Sequence, residues 1–242
     1  MKDSWALIVP MADEEKWFTE FINAVNSVLL TVPNGHVYIV IDKATTDKTA
    51  ILVNQLVIIN PNFTLLNLPA NKNVVDAYLG GFKIAYQNGH NYFIEMDAGM
   101  SHNPSSIPFF LQELKAGVNC VFGSRNLNGG STHQVGVKRM FLSWSGTQLS
   151  NLFLGSSLSD MTSGYQGFSR EVMFLITKYQ FRSTGHFYQT ELKYILRKYN
   201  CREIPIHYQN PSPSVSIKSI VNSLSTLLYY TKMRLMFKPV YL

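Results

Sequence analysis

The feature that most limits how this chain can fold is an alternation. A short apolar run ending on a polar residue is followed by a longer stretch in which apolar side chains recur every three or four positions. Ala6 to Val9 closes at Pro10, and Trp17, Phe18, Phe21, Ile22, Val25, Val28 and Leu29 then share one helical stripe. Val37 to Ile41 is a β-branched run ending at Asp42; the Thr45-Thr46-Asp47 start signal and Ala50, Ile51, Val53, Leu56 and Val57 predict a second helix. Phe63 to Leu68 and Tyr92 to Met96 are the next strands, with a helix from about Val74 to Tyr86 between them, closed by Asn88-Gly89. Asn103-Pro104 caps a helix running to Gly117, and Cys120 to Phe122 is a fifth strand. Such an alternation predicts an α/β fold, a mainly parallel central sheet flanked by helices, with ligands bound beyond the strands' C-terminal ends.

Composition narrows the class. The 242 residues are 46% hydrophobic and 15% charged, enough apolar material for a large core and too little charge for disorder. No apolar run reaches the roughly 18 residues needed to span a bilayer, and no signal-peptide pattern precedes Trp5, so the chain reads as cytoplasmic. Cys120 and Cys201 lie far apart and match no zinc spacing, which predicts two reduced core thiols. The net charge of +6 is spread without a basic stripe or recognition motif, so nucleic acid is not an expected partner; an anionic small molecule or membrane surface is.

Neither a Gly-x-Gly-x-x-Gly turn nor a Walker loop is present. Polar residues gather instead at Pro10 to Glu14, Asp42 to Asp47 and Glu95 to His102. A carboxylate after the second strand can bond a nucleobase or ribose, and one after the fourth can hold a divalent metal under a diphosphate. That combination describes a nucleotide-sugar site. Asp42 and Asp47 also suit turn and cap duty, and His102 and Asn103 suit capping of the helix at Pro104.

Six strings in order resemble the family-two glycosyltransferases of the GT-A fold, above all the dolichol-phosphate mannosyltransferases and related polyprenyl-phosphate sugar transferases. They are Val9-Pro10-Met11-Ala12-Asp13-Glu14, Asp42 to Thr49, Met96-Asp97-Ala98-Gly99-Met100-Ser101-His102-Asn103-Pro104, Gly123-Ser124-Arg125, Asp160-Met161-Thr162-Ser163-Gly164-Tyr165, and Gln189-x-Glu191 with Glu203-Ile204-Pro205-Ile206. The resemblance implies a GT-A (Rossmann-like) domain over residues 1–210, with an amphipathic helical segment over 211–242 that packs on the body or lies on a membrane. By the same resemblance Pro10, Glu14, Asp42, Lys43, Asp97, Arg125, Ser163, Gly164 and Gln189 would bind the nucleotide sugar. Asp97 would hold Mg2+ or Mn2+, Arg125 and Arg139 would meet the acceptor phosphate, and Asp97, Asp160 and Glu191 would be catalytic.

The departures from the family pattern are specific. Gly99 stands where the family carries its second metal-site aspartate, which leaves Ser101, His102, backbone or nucleotide oxygens as replacement ligands. Lys43 replaces a second aspartate, Asn73 and Val75 stand in the family's Asn-x-Gly-x-Gly loop, and the late basic segment has become Tyr208 to Ser214 without a positive charge. The implied activity is inverting transfer of a hexose from a GDP-mannose- or UDP-glucose-type donor to a polyprenyl phosphate. Attachment to the cytosolic membrane face would be peripheral, through the C-terminal helix or a membrane-anchored partner. Two alternatives are a glycan or protein hydroxyl as acceptor, with Asp160 or Glu191 as base, and a degenerate glycosyltransferase fold that only binds.

Overall fold

A computed structural model describes residues 3–43, 45–69, 71–133, 135–209, 217–238 and 240–242, the side chains of 217 and 218 excepted. The first half follows the alternation: β1 (Trp5–Met11), α1 (Phe18–Thr31), β2 (Gly35–Ile41), α2 (Thr49–Ile59), β3 (Phe63–Leu66), α3 (Val74–Gln87) and β4 (Tyr92–Glu95). A 3-10 turn at Pro104–Ser106 leads into α4 (Ile107–Lys115), then β5 (Cys120–Ser124) and the two-residue β6 (Ser131–Thr132). The second half adds α5 (Val137–Leu154), β7 (Gln166–Ser169), α6 (Arg170–Ile176), α7 (Phe187–Ile195), β8 (Cys201–Pro205), β9 (His207–Tyr208) and α8 (Ile217–Leu235).

The main sheet has seven strands in the order β3-β2-β1-β4-β7-β5-β8. All pairings are parallel except those of β7, which runs antiparallel between β4 and β5. Period-two alternation along β1 divides the core: Trp5, Leu7, Val9 and Met11 pack under α1, α2 and α4, while Ala6 and Ile8 face α3 and the layer built by α6, α7 and α8. Strand β1 runs two residues past the expected end and takes in Pro10. The Ile8 carbonyl accepts from Met96 on the β4 side, and alternation turns Pro10 to that same side, where pairing with β4 has already ended at Ile8. The missing N–H therefore costs no ladder bond.

Cys120 and Cys201, remote in sequence, are register partners across β5 and β8, and both are free thiols. Helix α8 packs on α5 and α7 and buries Leu227 and Tyr230. Arg234 there donates to the Leu152 and Phe153 carbonyls, satisfying the C-terminal end of α5. The expected domain boundary at 210–211 and the Pro/Ser-rich stretch from Asn210 to Ser216 lie outside the described residues.

A histidine at the end of α3 makes the fold acid-sensitive. His90 is buried, its Nε2 is hydrogen-bonded with the Tyr38 hydroxyl at 2.9 Å, and Asn88 donates to Tyr38. Burial first, then the charges of His36 and Arg170, push its pKa down to about 4 from 6.5. The folded state thus resists a proton that the unfolded chain accepts, so stability is lost as pH falls through 6.5 toward 4. Thermal melts between pH 7.5 and 4 should show the midpoint falling over that window, with a smaller fall in His90→Gln.

Candidate active site

The C-terminal ends of β1, β2 and β4 meet on one side of the sheet and carry the acidic residues there. Asp42 closes β2, its N–H donating to the Met11 carbonyl at 2.8 Å, while Lys43 turns outward to the Pro69 carbonyl. Asp13 adopts a left-handed φ of +54° and accepts from the Thr46 and Asp47 N–H groups at 2.7 and 3.2 Å. Asp47 in turn accepts from Thr49 at the start of α2 and from the Glu15 N–H, so both aspartates join the β1 loop to the β2 loop. Glu14 follows, half-buried, its N–H donating to Thr49 Oγ1 at 2.7 Å. Burial, then the charges of Asp97, Asp47 and Asp13, raise its pKa to about 7.

Asp97 lies two residues past β4 with its side chain half-exposed. Its Oδ1 accepts from the Tyr78 hydroxyl at 3.0 Å, and Tyr78 is itself held between Phe82 and Tyr188. His102 packs between Tyr165 and Tyr208, and its Nδ1 accepts from the Asp97 N–H at 3.4 Å. The imidazole lies 3.9 Å from Asp97 Oδ2, yet burial lowers its pKa to about 4 against the pull of Asp97. It is therefore a neutral brace for the loop rather than an ion-pair partner. Below it, the buried Glu95 accepts from Gln166 at 2.8 Å, and burial with the Asp97 charge pushes its carboxyl well up.

A second cluster follows β5. Arg125 donates through Nε and Nη2 to both Asp160 oxygens at 2.7 and 2.8 Å, and through Nη2 to Ser143 and Thr162. Asp160 is fully buried and also accepts from the Thr162 and Ser163 N–H groups. Burial alone would raise its pKa; the bonds and charge of Arg125, with Lys193 behind, outweigh burial and hold it well below the usual carboxylate range. Lys193, fully enclosed, donates to the Asp160 and Ser163 carbonyls, and burial brings its pKa down to about 8. Arg139 donates to the Tyr208 hydroxyl, and the Arg125 guanidinium sits 5.2 Å over the Tyr208 ring.

The sequence-derived residues thus fall into several separate places. Pro10, Glu14, Asp42, Lys43 and Asp97 belong to the acidic strand ends, and Arg125, Asp160 and Ser163 form the ion-pair cluster. Gly164 lies against Gln189, where an added β-carbon would come 3.2 Å from the amide nitrogen. Glu191 accepts from the Arg182 and Ser183 N–H groups and the Tyr230 hydroxyl at 2.9, 2.8 and 2.6 Å, fixing a loop and α8. Arg125 and Arg139 line a cavity of about 330 Å³ together with Val137, Met140, Phe141 and Trp144 of α5. Tyr78 and Tyr208, absent from the strings read in the sequence, contact Asp97 and both arginines respectively; lone tyrosines outside a motif carry no signal for that.

The fold, a mainly parallel sheet with acidic strand ends and a pocket carrying two arginines, is that of the GT-A glycosyltransferases. The family model for glycosyl transferase family 2 matches residues 6–174, and the chain belongs to that family. It is 27% identical over 213 residues to a polyprenol monophosphomannose synthase of Mycolicibacterium smegmatis, covering 87% of this chain and 79% of that protein. It is also 27% identical over 179 residues to an undecaprenyl-phosphate mannosyltransferase of Micrococcus luteus, covering 73% of each. Among solved structures, glucosyl-3-phosphoglycerate synthase of Mycobacterium tuberculosis with UDP superposes with a TM-score of 0.68 at 14% identity, over 96% of this chain and 81% of that one. The same enzyme with Mn2+, UDP and phosphoglyceric acid gives 0.65 at 14% identity, over 96% and 78%.

Among the described residues, no three His, Cys, Asp or Glu side chains converge into a metal cage. Magnesium-type sites need only one or two carboxylates, since water and substrate phosphates supply the other oxygens. Asp97, half-exposed, and Glu14, whose Oε2 lies 2.6 Å from where a β-carbon on Gly99 would stand, fit that requirement.

The ion-pair cluster carries a stability prediction. Removing one partner of a buried pair strands the other, so Asp160→Ala should cost about 3–5 kcal/mol in urea unfolding.

Proposed function

We propose that this glycosyltransferase moves a hexose from a nucleotide diphosphate sugar to a polyprenyl phosphate, inverting the anomeric centre. The observation that carries the acceptor is the cavity of about 330 Å³ at the start of α5, where Arg125 and Arg139 meet Phe141 and Trp144. It has cations for a phosphate and an apolar wall for a chain. The names of the relatives, which act on polyprenol and undecaprenyl phosphates, agree with that reading.

The chemistry of the carboxylates agrees as well. A sugar or protein hydroxyl needs a general base, whereas a phosphate monoester, with a second pKa of about 6, is largely deprotonated at neutral pH. Asp160 is committed to Arg125 and Glu191 to a loop and Tyr230, so neither is placed to take a proton. A phosphate oxygen attacks the anomeric carbon, and the bond from that carbon to the diphosphate breaks with its electron pair leaving on the nucleotide. Asp42 and Glu14 would orient the nucleotide, and Tyr78 holds the Asp97 carboxylate in one direction. Asp97 would hold Mg2+ or Mn2+, which when bound offsets the charge of the leaving diphosphate. Arg139 and the Arg125 edge would align the attacking phosphate.

A polyprenyl acceptor lies in a membrane, and the surface near the cavity suits one. Val137, Phe141, Trp144 and Leu152 of α5 are each more than half exposed, as are Leu228 and Leu235 of the neighbouring α8. Neither helix contains an aspartate or glutamate, and residues 126–159 and 204–242 contain none at all. No helix among the described residues is long and apolar enough to cross a membrane, so contact through this face would be peripheral.

Labelled GDP-mannose and UDP-glucose should be tested with undecaprenyl phosphate and with undecaprenol. The phosphate should be glycosylated and the alcohol left untouched, and Asp97→Asn should lower kcat by about 100-fold or more. Transfer to the alcohol at the same rate would refute the phosphate reading. In flotation, phosphatidylglycerol vesicles should carry the wild type, and Phe141→Ser/Trp144→Ser should reduce that binding while leaving the melting temperature within a few degrees.

A further inference from the structure

Building on the nucleotide-sugar reading, we propose that Glu14 supplies the second carboxylate of the cation site, in place of the aspartate absent at Gly99. Gly99 lies in the turn after β4 with a φ of +71°, a conformation that side chains rarely adopt. A β-carbon there would fall 2.6 Å from Glu14 Oε2 and 3.3 Å from Oε1, so the Glu14 carboxylate fills the space a side chain at 99 would enter. The two arrangements exclude each other: a carboxylate reaches this point either from the β4 turn or from the β1 loop.

Glu14 is fixed in this position from both sides. Its N–H is held by Thr49 Oγ1, and its carbonyl accepts from the Trp17 N–H at 3.1 Å. Lys48, the basic residue at the start of α2, pairs with Glu15 instead, and the charge acting most strongly on Glu14 is the carboxylate of Asp97. Carboxylates near enough for one to act on the charge of the other are groups that a divalent ion can balance. The other replacements open to the sequence are engaged: the Ser101 hydroxyl donates to the Ala98 carbonyl, and His102 Nδ1 accepts from the Asp97 N–H. Both residues are buried.

The test is manganese binding, read from the free Mn2+ signal in electron paramagnetic resonance, with UDP and in parallel GDP present. The proteins are wild type, Glu14→Gln, Asp97→Asn, Gly99→Ala and the swap Glu14→Ala/Gly99→Asp, which empties the space at 14, each checked for folding by its melting temperature. Glu14→Gln should bind Mn2+ at least about tenfold more weakly than wild type, with its melting temperature within a few degrees of wild type. Gly99→Ala, which keeps the carboxylate and displaces it, should also bind Mn2+ more weakly and serves as the reading if Glu14→Gln does not fold. The swap should recover part of the affinity. Wild-type Mn2+ affinity in Glu14→Gln, or in Gly99→Ala should Glu14→Gln not fold, with weakened binding in Asp97→Asn, overturns the role of Glu14 and leaves the metal-assisted reading standing. Absence of Mn2+ binding in the wild type, or wild-type affinity in Asp97→Asn, overturns both.

Discussion

The bidentate pair between Arg125 and Asp160 is the joint on which the functional half of the molecule is assembled. Arg125 follows β5, Asp160 precedes β7, Ser143 belongs to α5 and Lys193 to α7, and all of them meet there. Glu203 of β8 closes the same knot by accepting from the Ser159 and Asp160 N–H groups. A pair this deep must recover its desolvation cost through geometry, and the two short, parallel bonds with further donors on each Asp160 oxygen provide it. The consequence is positional: the segments that wall the arginine-lined cavity cannot drift relative to one another without stranding a buried charge.

The site divides by sign. Carboxylates collect at the ends of β1, β2 and β4, while beyond β5 lie Arg139, the acid-free helices and Arg125, its charge matched by the buried Asp160. His102 and Tyr208 stand at the seam and remain neutral at physiological pH, burial holding the histidine's pKa down and the phenol's up. A neutral partition separates the carboxylate-bearing half from the arginine-bearing half. A donor diphosphate and an acceptor phosphate could then be drawn to neighbouring places despite their mutual repulsion.

Much of the first half was legible in the sequence, because its strands are short apolar runs and α1, α3 and α4 are apolar stripes, while α2, apolar nearly all round, is marked by the Thr45-Thr46-Asp47 start signal; the order from β1 to β5 follows from that alternation. The second half was not. Strand β7 is four residues of Gln-Gly-Phe-Ser with no alternation to read, and helix α5 carries apolar residues nearly all round, so period alone assigns it no inner face. The strings around Asp97 and Asp160 fall at the end of β4 and in the ion-pair cluster, yet roles depended on partners that no spacing shows. Asp160 reads as a candidate base until Arg125 is seen against it, and Glu191 until Tyr230 is. The register pairing of Cys120 with Cys201 is likewise a product of β8 returning beside β5, which only the three-dimensional order reveals.

The reversed direction of β7 has an architectural effect. In the parallel strands the crevice is served by chain leaving the sheet, whereas β7 serves it with chain arriving, so Asp160 to Tyr165 reach the same rim from the opposite sense. The connection from α5 into β7 therefore borders the reactive side, and the one from β7 into α6 turns on the far side. The rim that carries the carboxylates thus also receives the α5–β7 linker, which arrives already anchored through Asp160 to Arg125 and Glu203.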